Sequence, residues 1–246
     1  MIKLSDIKIE RNFFELSIDN FTIESGKIIL LLGNSGCGKT TFLKLLSGFI
    51  EKCDGKMDFL NSNNSTSLML QNPINQMITP KVETELKFSL FNQNLTDREI
   101  ESKIDKIANY FEIEKLMNNN LRELSFGELQ KVMLCATFLV DADYYFFDEP
   151  TSHLDFQSIK ILYNYIQKLK KSGKSVIISS QNFDEYQFAD KIIVMDAGNI
   201  VEYFDRAEMD KKREILKEYG LKSVDDEIRE YSTKMYKKLK FGNEKK

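Results

Sequence analysis

The apolar positions of this chain change period along its length, and those changes mark out its elements. Over residues 2–9 and 14–23 apolar and polar side chains alternate, as in antiparallel strands with one face on a core and one in water. Ser25 and Gly26 make a turn, after which 28–32 (Ile-Ile-Leu-Leu-Leu) is apolar without a break. Five residues are too few for a helix to be stable, so the run predicts a strand buried on both faces. Helical spacing takes over in 40–49, through Leu43, Leu46 and Phe49. Segments 67–70, 144–147, 176–179 and 192–195 predict further short buried strands, the last leading into a turn at Ala197-Gly198-Asn199.

Between these strands the pattern is helical. Thr96-Asp97-Arg98-Glu99 spells a capping box, and Ile100, Ile104, Ile107 and Phe111 follow at helical spacing. Residues from about 82 to 139 therefore predict a helical insertion in an α/β domain. From about residue 206 the chain changes again. Ser223 can cap a helix whose first turn is acidic (Asp225, Asp226, Glu227) and whose last turn is basic (Lys237, Lys238, Lys240), the favourable order for the helix dipole. Val224, Ile228, Tyr231, Met235 and Leu239 would form its apolar stripe. The expected organisation is one main domain over 1–205 and a helical extension over 206–246, packed on its own domain or at a dimer contact.

Composition narrows the classes. A chain of 246 residues with 42% hydrophobic residues has enough apolar surface for one full-sized core. A net charge of −3 shows no bias towards nucleic acid. No apolar run approaches the roughly 18–20 residues that cross a bilayer, and the first residues lack the apolar stretch of a signal peptide. The expectation is a soluble, cytosolic chain that meets a membrane only through a partner. Three cysteines (Cys37, Cys53, Cys135) without metal-like spacing predict reduced thiols. The single histidine, His153, closes off any mechanism that needs one elsewhere.

One motif carries chemistry unaided. Gly33-Asn34-Ser35-Gly36-Cys37-Gly38-Lys39-Thr40 fits the phosphate-loop pattern, with a buried strand before it and a helix after it. Its glycines let backbone N–H groups turn in around phosphate oxygens, and the helix N-terminus adds partial positive charge. Lys39 is placed to reach the β- and γ-phosphates of ATP and Thr40 to ligate Mg²⁺, with Thr41 extending the site. Asp148, at the end of the apolar strand 144–147, suits a second Mg²⁺ ligand, and Glu149 beside it is placed to polarise the attacking water. Alone, the acidic pair would be a plain strand end; beside a phosphate loop it is chemistry.

The order of motifs resembles the ABC ATPases. After the phosphate loop come Gln71, then Leu124-Ser125-Phe126-Gly127-Glu128, Asp148-Glu149-Pro150, and Ser152-His153-Leu154-Asp155. These are similar to that family's Q-loop, signature, Walker B with catalytic glutamate, and D-loop. The resemblance implies an α/β P-loop NTPase of the ABC ATPase fold: a mixed sheet core, an antiparallel β subdomain, a helical insertion, and here a short C-terminal helical extension. It implies ATP hydrolysis with Mg²⁺, with Gln71 as a catalytic and Mg²⁺-binding residue. It also implies that Ser125, Phe126, Gly127 and Glu128, at the start of a helix over about 128–139, act on ATP held by a second ABC ATPase subunit. Backbone donors of Ser125 and Gly127 would face that γ-phosphate, and Asp155 would serve in the D-loop. Phe13 or Phe14 could stack on adenine or belong to the core.

A finer resemblance follows Gln71. The runs Gln71-Asn72-Pro73-Ile74-Asn75-Gln76 and Val82-Glu83-Thr84-Glu85-Leu86-Lys87-Phe88, with Glu214-Ile215-Leu216-Lys217-Glu218-Tyr219-Gly220-Leu221 in the tail, are similar to the energy-coupling-factor and cobalt-type importer ATPases. That group implies an integral membrane coupling subunit as partner, a peripheral place on the cytoplasmic face of the cell membrane, and no nucleic acid. It does not name the transported substrate.

Three positions depart from the family. Its switch histidine falls at Gln181, which can donate a hydrogen bond to a γ-phosphate but cannot become cationic, so slower hydrolysis is expected. Phe126 stands where glycine is usual, and its ring should crowd close backbone approach to the partner's nucleotide. Glu128 stands where glutamine is usual. Such changes fit unequal sites in a heterodimer, a degenerate homodimer, or a regulatory subunit that hydrolyses little; a soluble, non-transport ABC protein is the remaining class.

Overall fold

A computed structural model of the chain describes residues 1–11, 14–50, 53–60, 65–221 and 223. Two sheets and six α-helices are seen among them. The first sheet is antiparallel. Its centre is β1 (Ile2–Arg11), which pairs with β2 (Phe14–Ile18), β3 (Phe21–Ile23) and β5 (Asp54–Phe59). Alternation over 14–23 predicts one strand; the structure makes two, with Asp19 and Asn20 as the polar break between them.

The second sheet has six strands in the order β10-β9-β4-β8-β7-β6. β4 (Ile28–Leu32), β6 (Thr66–Met69), β7 (Tyr144–Asp148), β8 (Ser175–Ser180) and β9 (Lys191–Asp196) run parallel, while β10 (Asn199–Asp205) returns antiparallel along the edge. Each residue of β4, β7 and β8 is buried, as expected of parallel strands covered on both faces. Period two divides β4 between two cores. Ile28, Leu30 and Leu32 join the core under the helices; Ile29 and Leu31 join the one shared with α1 (Lys39–Leu46) and the antiparallel sheet. Burying each such side chain contributes about 1.5–3 kcal/mol. The result is a layered α/β molecule.

Three helices fill the stretch between β6 and β7: α2 (Val82–Phe88), α3 (Asp97–Phe111) and α4 (Phe126–Leu139). Thr96 and Glu99 form the capping box that their spacing predicts. α5 (Phe156–Lys171) and α6 (Met209–Glu218) follow later in the chain. α1 ends earlier than its apolar spacing suggests. Ser47 and Gly48 close it, with their N–H groups on the carbonyls of Leu43 and Leu45, and Phe49 is left 65% exposed. The helix expected beyond Ser223 lies outside the described residues; Ser223 itself is buried. Among the described residues no helix is long and apolar enough to cross a membrane.

Candidate functional site

Four parallel strands end at one edge of the central sheet, and each delivers a functional residue there. β4 runs into the loop 33–38, β6 is followed by Gln71, β7 ends on Asp148, and β8 leads to Gln181. Because β4, β8, β7 and β6 are neighbours, residues far apart in sequence meet in one cleft. Carboxyl ends of parallel strands are where such sheets leave room for a ligand. Phe14, Ser35, Gly36, Gly38, Lys39, Thr40, Thr41, Gln71, Glu149 and Gln181 line it.

The loop is built for an anion. Lys39 opens α1, is 5% exposed, and donates from Nζ to the carbonyls of Gly33 (2.6 Å) and Asn34 (3.1 Å). A buried ammonium held by neutral carbonyls keeps an uncompensated positive charge. The N-terminus of α1 adds to it: Gly38, the N-cap, offers no side chain to the first N–H groups, and the first turn holds no acidic residue. Gly38 has φ +112, and a Cβ there would lie 2.7 Å from Cζ of Phe14, so only glycine lets that ring close over the loop. Cys37 is buried; its N–H donates to the Asn34 carbonyl (3.2 Å), and burial pushes its thiol up from the ordinary value despite nearby Lys39. The thiol is a packing group, as a small side chain at that position suggests.

Asp148 is 2% exposed and uses both carboxylate oxygens. Oδ2 accepts from the Thr40 hydroxyl and Oδ1 from the Ser179 hydroxyl, each at 2.6 Å. Having given its hydrogen to Asp148, Thr40 is left with oxygen lone pairs, the hard donor that Mg²⁺ takes. Among the described residues no group of three or more His, Cys, Asp or Glu could hold a metal unaided.

Glu149 stands at φ +50, a left-handed backbone that costs a non-glycine residue about 1–2 kcal/mol. Its N–H is held by the carbonyl (3.2 Å) and hydroxyl (3.0 Å) of Ser179. Its carboxylate is gripped from two sides: Gln181 Nε2 donates to Oε1 at 2.6 Å and Gln71 Nε2 to Oε2 at 3.0 Å. Ser179, which no motif singles out, touches both acidic residues. Its only signal in the sequence is a serine directly after the apolar run Val176-Ile177-Ile178.

The signature residues lie elsewhere; none of Ser125, Phe126, Gly127 and Glu128 lines this cleft. Ser125 caps α4, and Glu128 folds back to close the box. Glu128 Oε2 accepts from the Ser125 N–H (2.9 Å) and hydroxyl (2.6 Å), which holds its carboxyl below the ordinary value. Within the chain, then, the Ser125 N–H is taken by Glu128, and the Glu128 carboxylate balances the positive end of the helix. Phe126 is half-buried, its ring edge-on to His153 with centroids 4.4 Å apart, so it packs back against the loop that follows β7. Gly127, the second residue of α4, faces the His153 carbonyl. Asp155 caps α5 by accepting from the Ser158 N–H (2.8 Å), which holds its carboxyl below the ordinary value. Phe14 lines the cleft, whereas Phe13 lies outside the described residues.

Known proteins bear on this geometry. A family model described as ABC transporter matches residues 16–152, more than half of the chain. A putative ABC transporter ATP-binding protein of Treponema denticola is 31% identical over 212 residues, covering 80% of this chain and 43% of its own length. The chain thus spans less than half of that relative. An energy-coupling factor transporter ATP-binding protein, EcfA1, of Mycoplasmoides gallisepticum is 27% identical over 90% of this chain and 84% of its own. Among solved structures, cbiO1 of Clostridium perfringens, described as part of the ABC transporter complex cbiONQ, has the same fold, with TM-score 0.71 and 22% identity over 90% of this chain and 94% of that one. A phosphate loop, an acidic strand end and a capped signature helix thus stand in the order and fold of one family, and this chain belongs to it: the ATP-binding proteins of ABC transporters.

Proposed function

We propose that the chain binds and hydrolyses ATP to power a membrane transporter, as one of the paired ATPases of an energy-coupling-factor-type importer of vitamins or metal ions. On this reading residues 1–205 are the ABC ATPase domain, with 82–139 its helical part, and 206–246 are a C-terminal extension. The supporting observation is the convergence of a buried Lys39, the Thr40–Asp148 pair and a doubly held Glu149 on one cleft. The named relatives add the transporter class.

The phosphate loop, residues Gly33 to Thr41, takes the triphosphate: Lys39 and the N-terminus of α1 meet its charge. Thr40, Gln71 and Asp148 would hold Mg²⁺, which when bound would supply positive charge to offset that of the triphosphate. Glu149 accepts a proton from the water that attacks the γ-phosphorus. The bond from that phosphorus to the β,γ-bridging oxygen breaks, and ADP and phosphate leave. Ser125, Phe126, Gly127 and Glu128 close on ATP held by a second ABC ATPase subunit, and Asp155 lies in that interface. Closure on ATP and release after hydrolysis drive an integral membrane coupling subunit from the cytoplasmic face. The segment 72–87 lies near the groove that receives it. No nucleic acid takes part. Isolation of the full chain from native membranes, with mass spectrometry of what accompanies it, is expected to return a second ABC ATPase and a multi-span membrane protein. Recovery of the chain alone, or with ribosomes or DNA, contradicts the reading.

One observation favours a second reading, a low-activity regulatory subunit. Gln181 touches Glu149 with a neutral amide. Gln181→His should raise turnover about three- to tenfold, because a cationic donor binds a carboxylate or phosphate more strongly. A carboxylate neighbour raises the imidazole pKa, so the gain is full at acidic pH and fades as pH rises through that raised value. No gain at any pH in a phosphate-release assay removes Gln181 as the cause of slow hydrolysis.

A further inference from the structure

The C-terminal extension is fastened to the phosphate loop. α6 ends in a Schellman turn: the Gly220 N–H donates to the Lys217 carbonyl (2.9 Å) and the Leu221 N–H to the Leu216 carbonyl (3.0 Å), with Gly220 at φ +72. Leu216 and Leu221, both buried, belong to the same core as Leu30 and Leu32 of β4, the strand that feeds the loop. The turn is thereby held against the base of the site. Its last carbonyl, that of Tyr219, is one of those a helix end leaves without an internal partner. It accepts from the side-chain amide of Asn34 at 2.7 Å, across 185 positions of sequence.

Asn34 is the second residue of the phosphate loop, and its own carbonyl receives Lys39 Nζ and the Cys37 N–H. The side-chain amide of Asn34 thus faces the extension, while its backbone belongs to the phosphate loop. Gly220 allows the approach: a Cβ there would stand 3.0 Å from Nδ2 of Asn34. α6 also reaches the other limb of the cleft. Arg213 lies 5.7 Å from the centroid of Phe183, two residues beyond Gln181. Lys212 pairs with Glu202 of β10 at 2.8 Å, which fixes the helix along the sheet edge.

We infer that Asn34 and the Tyr219–Gly220 turn form a positioning contact, through which the extension holds the phosphate loop in its nucleotide-receiving shape. The inference rests on the reading of the loop as an ATP site. Its consequence is reciprocal: what moves α6 changes nucleotide affinity, and nucleotide steadies α6.

The test uses the full chain and the Mg²⁺ complex of a non-hydrolysable ATP analogue, measured by calorimetry. Asn34→Ala and Gly220→Ala should each weaken binding about two- to tenfold, the range for one lost hydrogen bond. Because both act on one contact, the double variant should be no weaker than the worse single one. Gly173→Ala is the control. Gly173 closes α5 at φ +81 with nothing within 4 Å of its Cβ position, so it suffers similar strain away from the site. It should lower the melting temperature and leave affinity unchanged. Unchanged affinity in Asn34→Ala, additive losses in the double variant, or an equal loss in Gly173→Ala would overturn the inference. If the unaltered chain takes up no nucleotide, the reading of the loop itself fails, a distinguishable result.

Discussion

Glu149→Gln is expected to lower ATP turnover by about two to four orders of magnitude while leaving Mg·ATP affinity within a few-fold, the signature of a lost general base. The geometry explains why binding should survive. Glutamine has the shape of glutamate, and its backbone can keep the N–H bonds to Ser179. What changes is the pair of amides that grip the side chain, Gln71 Nε2 and Gln181 Nε2. Both are donors, and residue 149 would now present one acceptor and one donor. One of the two contacts is lost or its amide must flip, a cost of about 1 kcal/mol in a partly exposed site. The proton-accepting oxygen is gone altogether. Phosphate release and calorimetry on the same preparation separate the effects. Turnover that falls only as far as affinity falls would make Glu149 a structural residue, and turnover near the original value would remove it from the reaction.

Lys39→Ala is expected to weaken Mg·ATP binding about ten- to a hundredfold, with a smaller effect on folding. Charge-assisted hydrogen bonds to phosphate contribute about 1.5–3 kcal/mol each, and the loop has no other buried cation to replace this one among the described residues. In the absence of nucleotide the ammonium serves the Gly33 and Asn34 carbonyls, so its loss also frees two loop acceptors. Water can reach the cleft and satisfy them. Lys39→Arg should not restore binding, since a planar guanidinium cannot occupy the place of a compact ammonium on that short path. Equal affinity in Lys39→Ala and the unaltered chain would show that the triphosphate does not pass this residue. Melting temperatures taken alongside guard against an unfolded variant.

What the sequence makes legible here follows from which signals are local. β4, β7 and β8 announce themselves as unbroken apolar runs, since a strand covered on both faces has no polar side to show. The phosphate loop is legible because its glycines, lysine and threonine act together within eight positions. β5 (Asp-Gly-Lys-Met-Asp-Phe) gives no such signal: it pairs along β1 with much of its surface in water, and its pattern is mostly polar. β10 is likewise half-exposed, and its strand character comes from pairing with β9. Phe49 extends the apolar spacing of α1 past the Ser47–Gly48 stop, which misplaces that helix end.

The site divides in the same way. Individual residues could be named from motif order, but their contacts could not. Ser179 on Asp148, Gln181 on Glu149 and Asn34 on Tyr219 join positions 31, 32 and 185 apart, and only the stacking of parallel strands and the docking of α6 bring them together. The box closed by Ser125 and Glu128 is the reverse case. It is written in four consecutive residues, S-x-x-E, and needs no long-range contact to form.

The central claim is that the loop from Gly33 to Thr41 receives the triphosphate of ATP together with Mg²⁺. Calorimetric titration of the full chain with Mg·ATP, repeated with ATP and a chelator in place of the metal, tests it most directly. The account predicts saturable uptake with Mg²⁺ and clearly weaker uptake without it. No saturable uptake with the metal present, even after a second ABC ATPase subunit is added, would contradict it.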